Sequence, residues 1–390
     1  MASSFRIGQC IEGKISTYAL SKQLHKDIWT ATTSELGKVI IKKAPKYRLE
    51  TERDILRHFH ARPGIRQLLD EVQNPPSLVL KHLDESLLTV SNTKRLEKRE
   101  IKFVAKKILE ALQAFHEDGY VHTDVKPDNI LINYSSGPHR FRDVELGDCG
   151  DVCLVNPKDH LKLGESGHII GAHMFRSPEA MLSLRWGTAT DIWSFGTTLI
   201  SLIWGLGWHI FKPNPKDAEP DDELYPNHVL AKQIAFFGPI PLSYFAFLPE
   251  DDERWEFIGD ATQYIIDHKK WKPFAQAEDK ELAEEDRTFI YEQRVSCEWV
   301  FTVVYQVSVA CTFIYTFKEM NKRRTWSGLG SFYIHSPKPQ HTGTEERDEK
   351  DNQEEVGEKA IKLWPMVDKV ALTSAEKQRV NKIAPQILHA

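Results

Sequence analysis

Tyr120-Val-His-Thr-Asp-Val-Lys-Pro-Asp-Asn-Ile-Leu-Ile132 is the stretch on which the reading of this chain turns. It sets Asp124, then Lys126 two residues later and Asn129 five residues later, between two apolar flanks. That pattern describes a polar loop clamped by two short strands, with three functional side chains at fixed spacing. Lys-Pro-Asp-Asn is also good turn chemistry by itself, so the neighbouring stretches have to be read with it. Downstream, Val144-Glu-Leu-Gly-Asp-Cys-Gly150 is an apolar run ending in Asp148-Cys149-Gly150. Phe175-Arg-Ser-Pro-Glu-Ala180 has Ser and Pro placed to start a helix, and Asp191-Ile-Trp-Ser-Phe-Gly196 follows it. Upstream, Gly37-Lys-Val-Ile-Ile-Lys-Lys-Ala44 is a strand by its β-branched run, and Glu52-Arg-Asp-Ile-Leu56 has helical spacing.

Taken in order and with their spacing, these stretches resemble the protein kinase family over about residues 8 to 290. Residues 120–132 resemble its catalytic loop, Asp148-Cys149-Gly150 its Asp-Phe-Gly, Ser177-Pro-Glu179 its Ala-Pro-Glu, and Asp191–Gly196 the start of its central large-lobe helix. The resemblance implies an α+β, two-lobed fold, with a small β-rich lobe carrying helix C and a large, mainly helical lobe. The expected boundaries are 1–80 for the small lobe, 81–335 for the large lobe with 296–335 divergent, and 336–390 for a charged tail.

The same resemblance assigns roles. Asp124 orients the substrate hydroxyl, Asn129 and Asp148 hold magnesium, and Lys126 offsets charge on the moving phosphate. Lys42, in Val39-Ile40-Ile41-Lys42, meets the α- and β-phosphates. Choosing Lys43 would turn the alternating strand over, and an exposed lysine pair blunting an edge strand is the other reading of both. Glu52 is the helix C partner of Lys42, with Glu50 as its competitor. Leu78-Val-Leu-Lys-His-Leu83 resembles the strand and hinge that present backbone groups to adenine, with Leu80 as gatekeeper and Leu83 among the nucleotide-binding residues. ATP and Mg2+ are the implied cofactors and a protein Ser/Thr hydroxyl the acceptor, Lys126 favouring Ser/Thr over Tyr. Arg176-Ser-Pro-Glu179 and Ala235-Phe-Phe-Gly-Pro-Ile-Pro241 resemble the CMGC branch, here as a divergent, fungal-type member like the SR-protein and dual-specificity kinases.

The chain departs from the family pattern at four places. Thr123 replaces the Arg of His-Arg-Asp, Cys149 replaces Phe and makes a smaller apolar plug, and Ala172 stands where a Thr hydroxyl is usual. Between Gly13 and Ala31 there is no Gly-x-Gly-x-x-Gly, the loop whose backbone amides close over phosphates. These losses define the alternative, a pseudokinase scaffold that uses its lobes for binding. Retention of Lys42, Glu52, Asp124, Asn129 and Asp148 favours the enzyme. Thr123 also leaves an activation-segment phosphate without its usual partner, and Ser166 is the one interior hydroxyl between Asp148 and Ser177. The segment is therefore expected to order by its own packing, through Leu161, Leu163, Ile169 and Ile170, and to work without phosphorylation.

Bulk properties narrow the setting. A chain of 390 residues holds one two-lobed domain and a modest tail. A net charge of −5 makes no case for nucleic acid binding. Five scattered cysteines suit a reducing compartment, and the first residues lack an apolar signal core. Cytoplasm or nucleus is the expected location, with a monomeric state. Residues 343–360 are charged and nearly without large apolar groups, which reads as disorder. The uncharged run Trp299 to Phe317 has about the length of a membrane helix, but basic residues after it and acidic ones before it argue against spanning. A replaced insert and a buried helix are the other readings. Arg323 is the candidate partner for Glu179.

Overall fold

The computed structural model describes residues 5–155, 167–240, 244, 248–249 and 251–274. The chain divides into two units, Met1–Ile240 with Glu253–Val303 and Pro241–Asp252 with Val304–Ala390. Every element below belongs to the first. The second contributes only residues 244, 248, 249, 251 and 252 to the described set. The apolar run 299–317, Arg323 and the tail lie outside the described residues. Among the described residues no helix is long and apolar enough to cross a membrane.

The N-terminal part is a sheet with one helix against it. Strands β1 (Cys10–Glu12), β2 (Thr17–His25), β3 (Ile28–Thr33) and β4 (Gly37–Lys42) run in sequence order. Helix α1 (Lys46–His58) follows, then β5 (Leu68–Val72) and β6 (Ser77–Lys81). The six strands are antiparallel in the order β1-β2-β3-β4-β6-β5. In β4 successive side chains take opposite faces. Val39 and Ile41 join a cluster with Phe5, Tyr18 and Trp29 on one side. Ile40 joins Leu49, Leu56 and Leu80 on the other, where α1 lies. Leu49, Glu52, Ile55 and Leu56 form the buried stripe of α1 at helical spacing.

From residue 85 the chain becomes mainly helical. A short strand β7 (Glu85–Ser86) leads into α2 (Leu87–Thr93) and α3 (Lys98–Glu117). Helix α3 opens on a capping box between Glu97 and Glu100 and buries Val104, Ile108, Ala111, Leu112 and Phe115 along one face. Strands β8 (Tyr120–Val121), β9 (Ile130–Tyr134), β10 (Phe141–Leu146) and β11 (Cys153–Leu154) make two small sheets, β10-β9-β7 and β11-β8. Helices α4 (Pro178–Met181), α5 (Thr188–Trp204), α6 (Tyr225–Phe237) and α7 (Arg254–Asp267) complete the described part. Phe195, Leu199 and Leu202 of α5 share the α3 core. The α+β, two-lobed arrangement expected from the sequence is thus present, a β-rich lobe with one helix followed by a helical lobe.

Candidate active site

Two loops meet where β9 and β10 pair. Their register sets Ile132 opposite Val144 and Ile130 opposite Leu146. One step further, the Gly147 N–H donates to the Asn129 carbonyl at 2.8 Å. The residue before β9 and the residues after β10 therefore share one end of the ladder, which brings Asn129 beside Asp148. Asp148 leaves the strand in the left-handed region, φ 60°, a conformation a non-glycine residue holds only when its surroundings impose it.

The loop from His122 to Asn129 is organised around Asp124. Lys126 Nζ lies 2.7 Å from Asp124 Oδ2. The Asn129 amide nitrogen donates to the Asp124 carbonyl at 2.8 Å and to its Oδ2 at 2.9 Å. Behind the loop stands Asp191 of α5, fully buried. Its carboxylate accepts from the backbone N–H of His122 at 2.7 Å and of Thr123 at 2.8 Å, and from His116 Nε2 at 2.9 Å. Thr123 is itself at φ 72°. His122 Nε2 donates to the Gly147 carbonyl at 3.1 Å, tying the two loops together.

Lys42 closes the site from β4. Its ammonium lies 2.7 Å from Glu52 of α1 and 2.6 Å from Asp148. Lys43 takes the other face of the strand, with its ammonium 4.7 Å from the centre of the Phe5 ring. Glu50, the competitor of Glu52, is exposed and lies 4.0 Å from Lys46. Burial opposes the charge on Lys42, but Glu52 and Asp148 outweigh it and raise its pKa. Burial likewise opposes ionisation of Asp148; Lys42, then Arg48 and His122, overcome it and hold the carboxyl below its ordinary range. Cys149 is fully buried in the main core, and burial pushes its thiol well up. Leu83, also buried, follows β6. The strand leading to it is fixed by Arg66 Nε donating to the Lys81 carbonyl at 3.0 Å and by Lys81 pairing with Glu145 at 2.5 Å.

Two turns occupy the stretch that lacks glycine motifs. The first, Gly13 to Ser16, is bound by Asp70, whose carboxylate accepts from Ile15 N–H at 2.9 Å and from the Tyr18 hydroxyl at 2.8 Å. The second joins β2 to β3 through Lys26 and Asp27. Its closing pair, His25 and Ile28, stands in register with Lys42, and cross-strand partners share a face. This hairpin therefore lies next to the Lys42 cluster. Neither Lys26 nor Asp27 adopts positive φ; the bend is taken up by bulges at Leu20/Lys22 and Gln23/His25.

Toward Ser177 the segment is held from several sides. The Ala172 N–H donates to Asp124 Oδ1 at 3.2 Å, a backbone contact to the carboxylate at the position without a Thr hydroxyl. Gly171, at φ 61°, allows this approach, since a Cβ there would stand 2.6 Å from the Thr123 carbonyl. Arg176 is buried and donates to the carbonyls of Ile170 at 2.6 Å and Gly171 at 2.7 Å. Ile170 packs with Val121, Ala180 and Trp186 as the sequence suggested. Ile169 does not; it is 67% exposed. The two are adjacent in the chain, and only Ile170 reaches that cluster. Leu161, Leu163 and Ser166 lie outside the described residues.

This assembly of a lysine–glutamate–aspartate cluster with a second Asp, Lys and Asn on an adjoining loop agrees with the comparisons. Residues 12–227 match the protein kinase domain, and the chain belongs to that family. It is 29% identical over 191 residues to the mitogen-activated protein kinase KSS1 of Saccharomyces cerevisiae, covering 43% of this chain and 50% of that protein. It is 29% identical over 198 residues to the serine/threonine-protein kinase pakF of Dictyostelium discoideum, covering 49% and 16%. Against the serine/threonine-protein kinase PAK mbt of Drosophila melanogaster the identity is 27% over 185 residues, covering 45% and 27%. The chain spans half the length or less of these relatives.

The sequence reading missed Arg48, Arg66 and the acceptor role of Asp191. Asp191 stands out in the sequence as a motif residue, but only the fold reveals that its carboxylate meets the His122–Thr123 backbone. Arg48 and Arg66 carry no local spacing signal that would have separated them from surface arginines.

Proposed function

We propose that the chain is an ATP- and Mg2+-dependent protein serine/threonine kinase that transfers the γ-phosphate to protein hydroxyls. The observation that carries this is the ammonium of Lys42 held at once by Glu52 and Asp148, beside a loop in which Lys126 and Asn129 both fix Asp124. Lys42 then supplies charge to the α- and β-phosphates, and Leu83 packs at the adenine side. Asp124 orients the acceptor hydroxyl and takes up its proton, while Lys126 offsets charge on the group in transfer.

The donor set suits a hard divalent cation. Among the described residues the Asn129 amide is bonded through its nitrogen, which leaves Oδ1 for a metal. Asp148 keeps a carboxylate oxygen besides the one that meets Lys42. Among the described residues no group of three or more His, Cys, Asp or Glu forms a metal cluster by itself. Mg2+ takes few protein ligands and completes its shell with phosphates and water. When bound, the cation neutralises the β- and γ-phosphate oxygens.

The substrate class is a protein Ser/Thr hydroxyl, on the resemblance carried by Lys126. Membership of the CMGC branch is supported by Arg176-Ser-Pro-Glu179, where Arg176 knits the preceding backbone. Residues 1–80 and 81–335 are the proposed lobes and 336–390 the tail, with a cytoplasmic or nuclear setting and a monomeric state. Two features that favoured a pseudokinase have substitutes here, the Ala172 amide on Asp124 and the Thr123 hydroxyl on the Asp151 carbonyl. The test is transfer from Mg-ATP to a generic Ser/Thr substrate by purified protein, with Asp124→Asn as control. Wild type and control both at background would overturn the proposal.

A further inference from the structure

We propose that Arg48, Asp151 and Thr123 form a built-in latch that positions the Asp148 segment against α1 without a phosphate. The inference rests on the kinase reading of the site and concerns positioning residues, since none of the three reaches the reacting atoms. Arg48, in the first turn of α1, lies 2.5 Å from Asp151 and 3.8 Å from Asp148 Oδ1. Asp151 is three residues after Asp148. Its carbonyl accepts the Thr123 hydroxyl at 3.0 Å, and the Thr123 N–H is held by Asp191. One continuous chain of contacts therefore runs from α5 through the catalytic loop and the metal segment to α1.

An ion pair between side chains 33% and 44% exposed adds little to stability by itself. Two further observations show that this one fixes geometry. Gly150 lies directly under Arg48. A Cβ there would stand 3.3 Å from its Nε and 3.4 Å from both its Cβ and its carbonyl oxygen. Asp148 and Thr123 are both at positive φ, conformations the surroundings must impose. The same α1 that carries Arg48 carries Glu52, so holding its first turn to Asp151 also holds Glu52 to Lys42. Thr123 occupies the position where an Arg would pair with an activation-segment phosphate. Here its hydroxyl bonds within the latch, and the anion that meets the basic residue is Asp151, present in every copy of the chain.

The test uses the full chain in four forms, wild type, Arg48→Gln, Arg48→Glu, and Arg48→Glu with Asp151→Lys, after phosphatase treatment and with melting temperature as a folding check. The first readout is amide exchange at residues 149–153 without nucleotide. It should be about tenfold or more faster in Arg48→Glu, intermediate in Arg48→Gln, and back within about threefold of wild type in the charge-swapped double variant. The second is KM for Mg-ATP and kcat, with KM raised about tenfold in Arg48→Glu and restored by the swap. Unchanged exchange in Arg48→Glu, or a double variant as impaired as the single, overturns the latch. So does a phosphatase-treated wild type that exchanges as fast as Arg48→Glu. A wild type that transfers no phosphate yet shows the exchange pattern and its rescue leaves the latch standing and removes the kinase reading instead.

Discussion

Asp124 is held from three sides, while the hairpin joining β2 to β3 is held at its tip by few contacts. Asp124 is met by Lys126, Asn129 and the Ala172 amide, and its loop is anchored on buried Asp191. In the hairpin, Leu24, His25 and Lys26 are exposed. Its tip rests on the Gln23 side chain donating to the Lys26 carbonyl at 3.1 Å and on the Asp27 carbonyl accepting from Lys43 N–H at 2.8 Å. The family's Asp, Lys and Asn survive in the first region, beside the departures at Thr123 and Ala172, whereas the glycine motif is missing from the second. Where side chains do the chemistry, residue identity is required; where backbone amides cover phosphates, other sequences can make a hairpin in the same place. The comparison predicts a steep ranking of mutational effects, severe in the first region and mild in the second.

The largest effect belongs to Asp124→Asn. An amide cannot accept the hydroxyl proton, so kcat should fall by about 10³-fold or more, with nucleotide binding kept. A rapid-quench or steady-state transfer assay reads this. A drop of less than about tenfold would mean that the loop is a structural remnant and the comparison fails at its stronger side.

Next comes Asp148→Asn, which removes the anionic oxygen a hard cation prefers. The thermal shift given by Mg-ATP over ATP alone should disappear. The pH dependence has a definite sign. The folded-state pKa of Asp148 is depressed by Lys42, Arg48 and His122 against the cost of burial. Its contribution is therefore complete above the ordinary carboxylate value of about 4 and is lost only as pH falls through the lower folded value. Magnesium-dependent binding that weakened between pH 7 and 5 in proportion to protonation of this carboxyl would contradict the arrangement.

Asp191→Ala tests the anchor. It leaves the His122 and Thr123 amides and His116 without their buried acceptor, at a cost of about 3–5 kcal/mol of stability. The denaturant midpoint should drop accordingly, with no change in slope. A loss below about 1 kcal/mol would show that the loop keeps its shape without α5.

The fold class, and the grouping of the candidate site residues, are legible because their signals are local. Asp124, Lys126 and Asn129 are fixed by spacing within one loop, and Lys42 by strand alternation, which the structure resolves by sending Lys43 to Phe5. What stayed hidden depends on residues distant in sequence. Arg48 and Asp151 are 103 positions apart, and no pattern in either segment announces their pairing. Ile169 reads as a packing residue because an apolar pair looks alike from sequence on either face; only Ile170 turns inward. The family resemblance sets the phosphate-covering hairpin between the first two strands. It is instead the second turn, made without positive φ, and thus without the one residue type that marks such turns in a sequence.

The smallest effect is expected in the hairpin, with Gln23→Gly. The substitution removes an exposed hydrogen bond to the Lys26 carbonyl and places glycine within a strand, together costing about 1–2 kcal/mol locally. The backbone near His25 becomes freer to approach a phosphate, while no group in the Lys42 cluster changes. These two consequences oppose one another, so the dissociation constant for Mg-ATP should move by no more than about threefold, which corresponds to less than 1 kcal/mol. Isothermal titration on the variant measures it directly. A gain of about tenfold would mean that the present hairpin holds its amides away from the nucleotide and that the missing glycines had limited binding. A loss of the same size would mean that the Gln23–Lys26 contact shapes a phosphate-covering surface, so the hairpin would be as specifically built as the loop around Asp124.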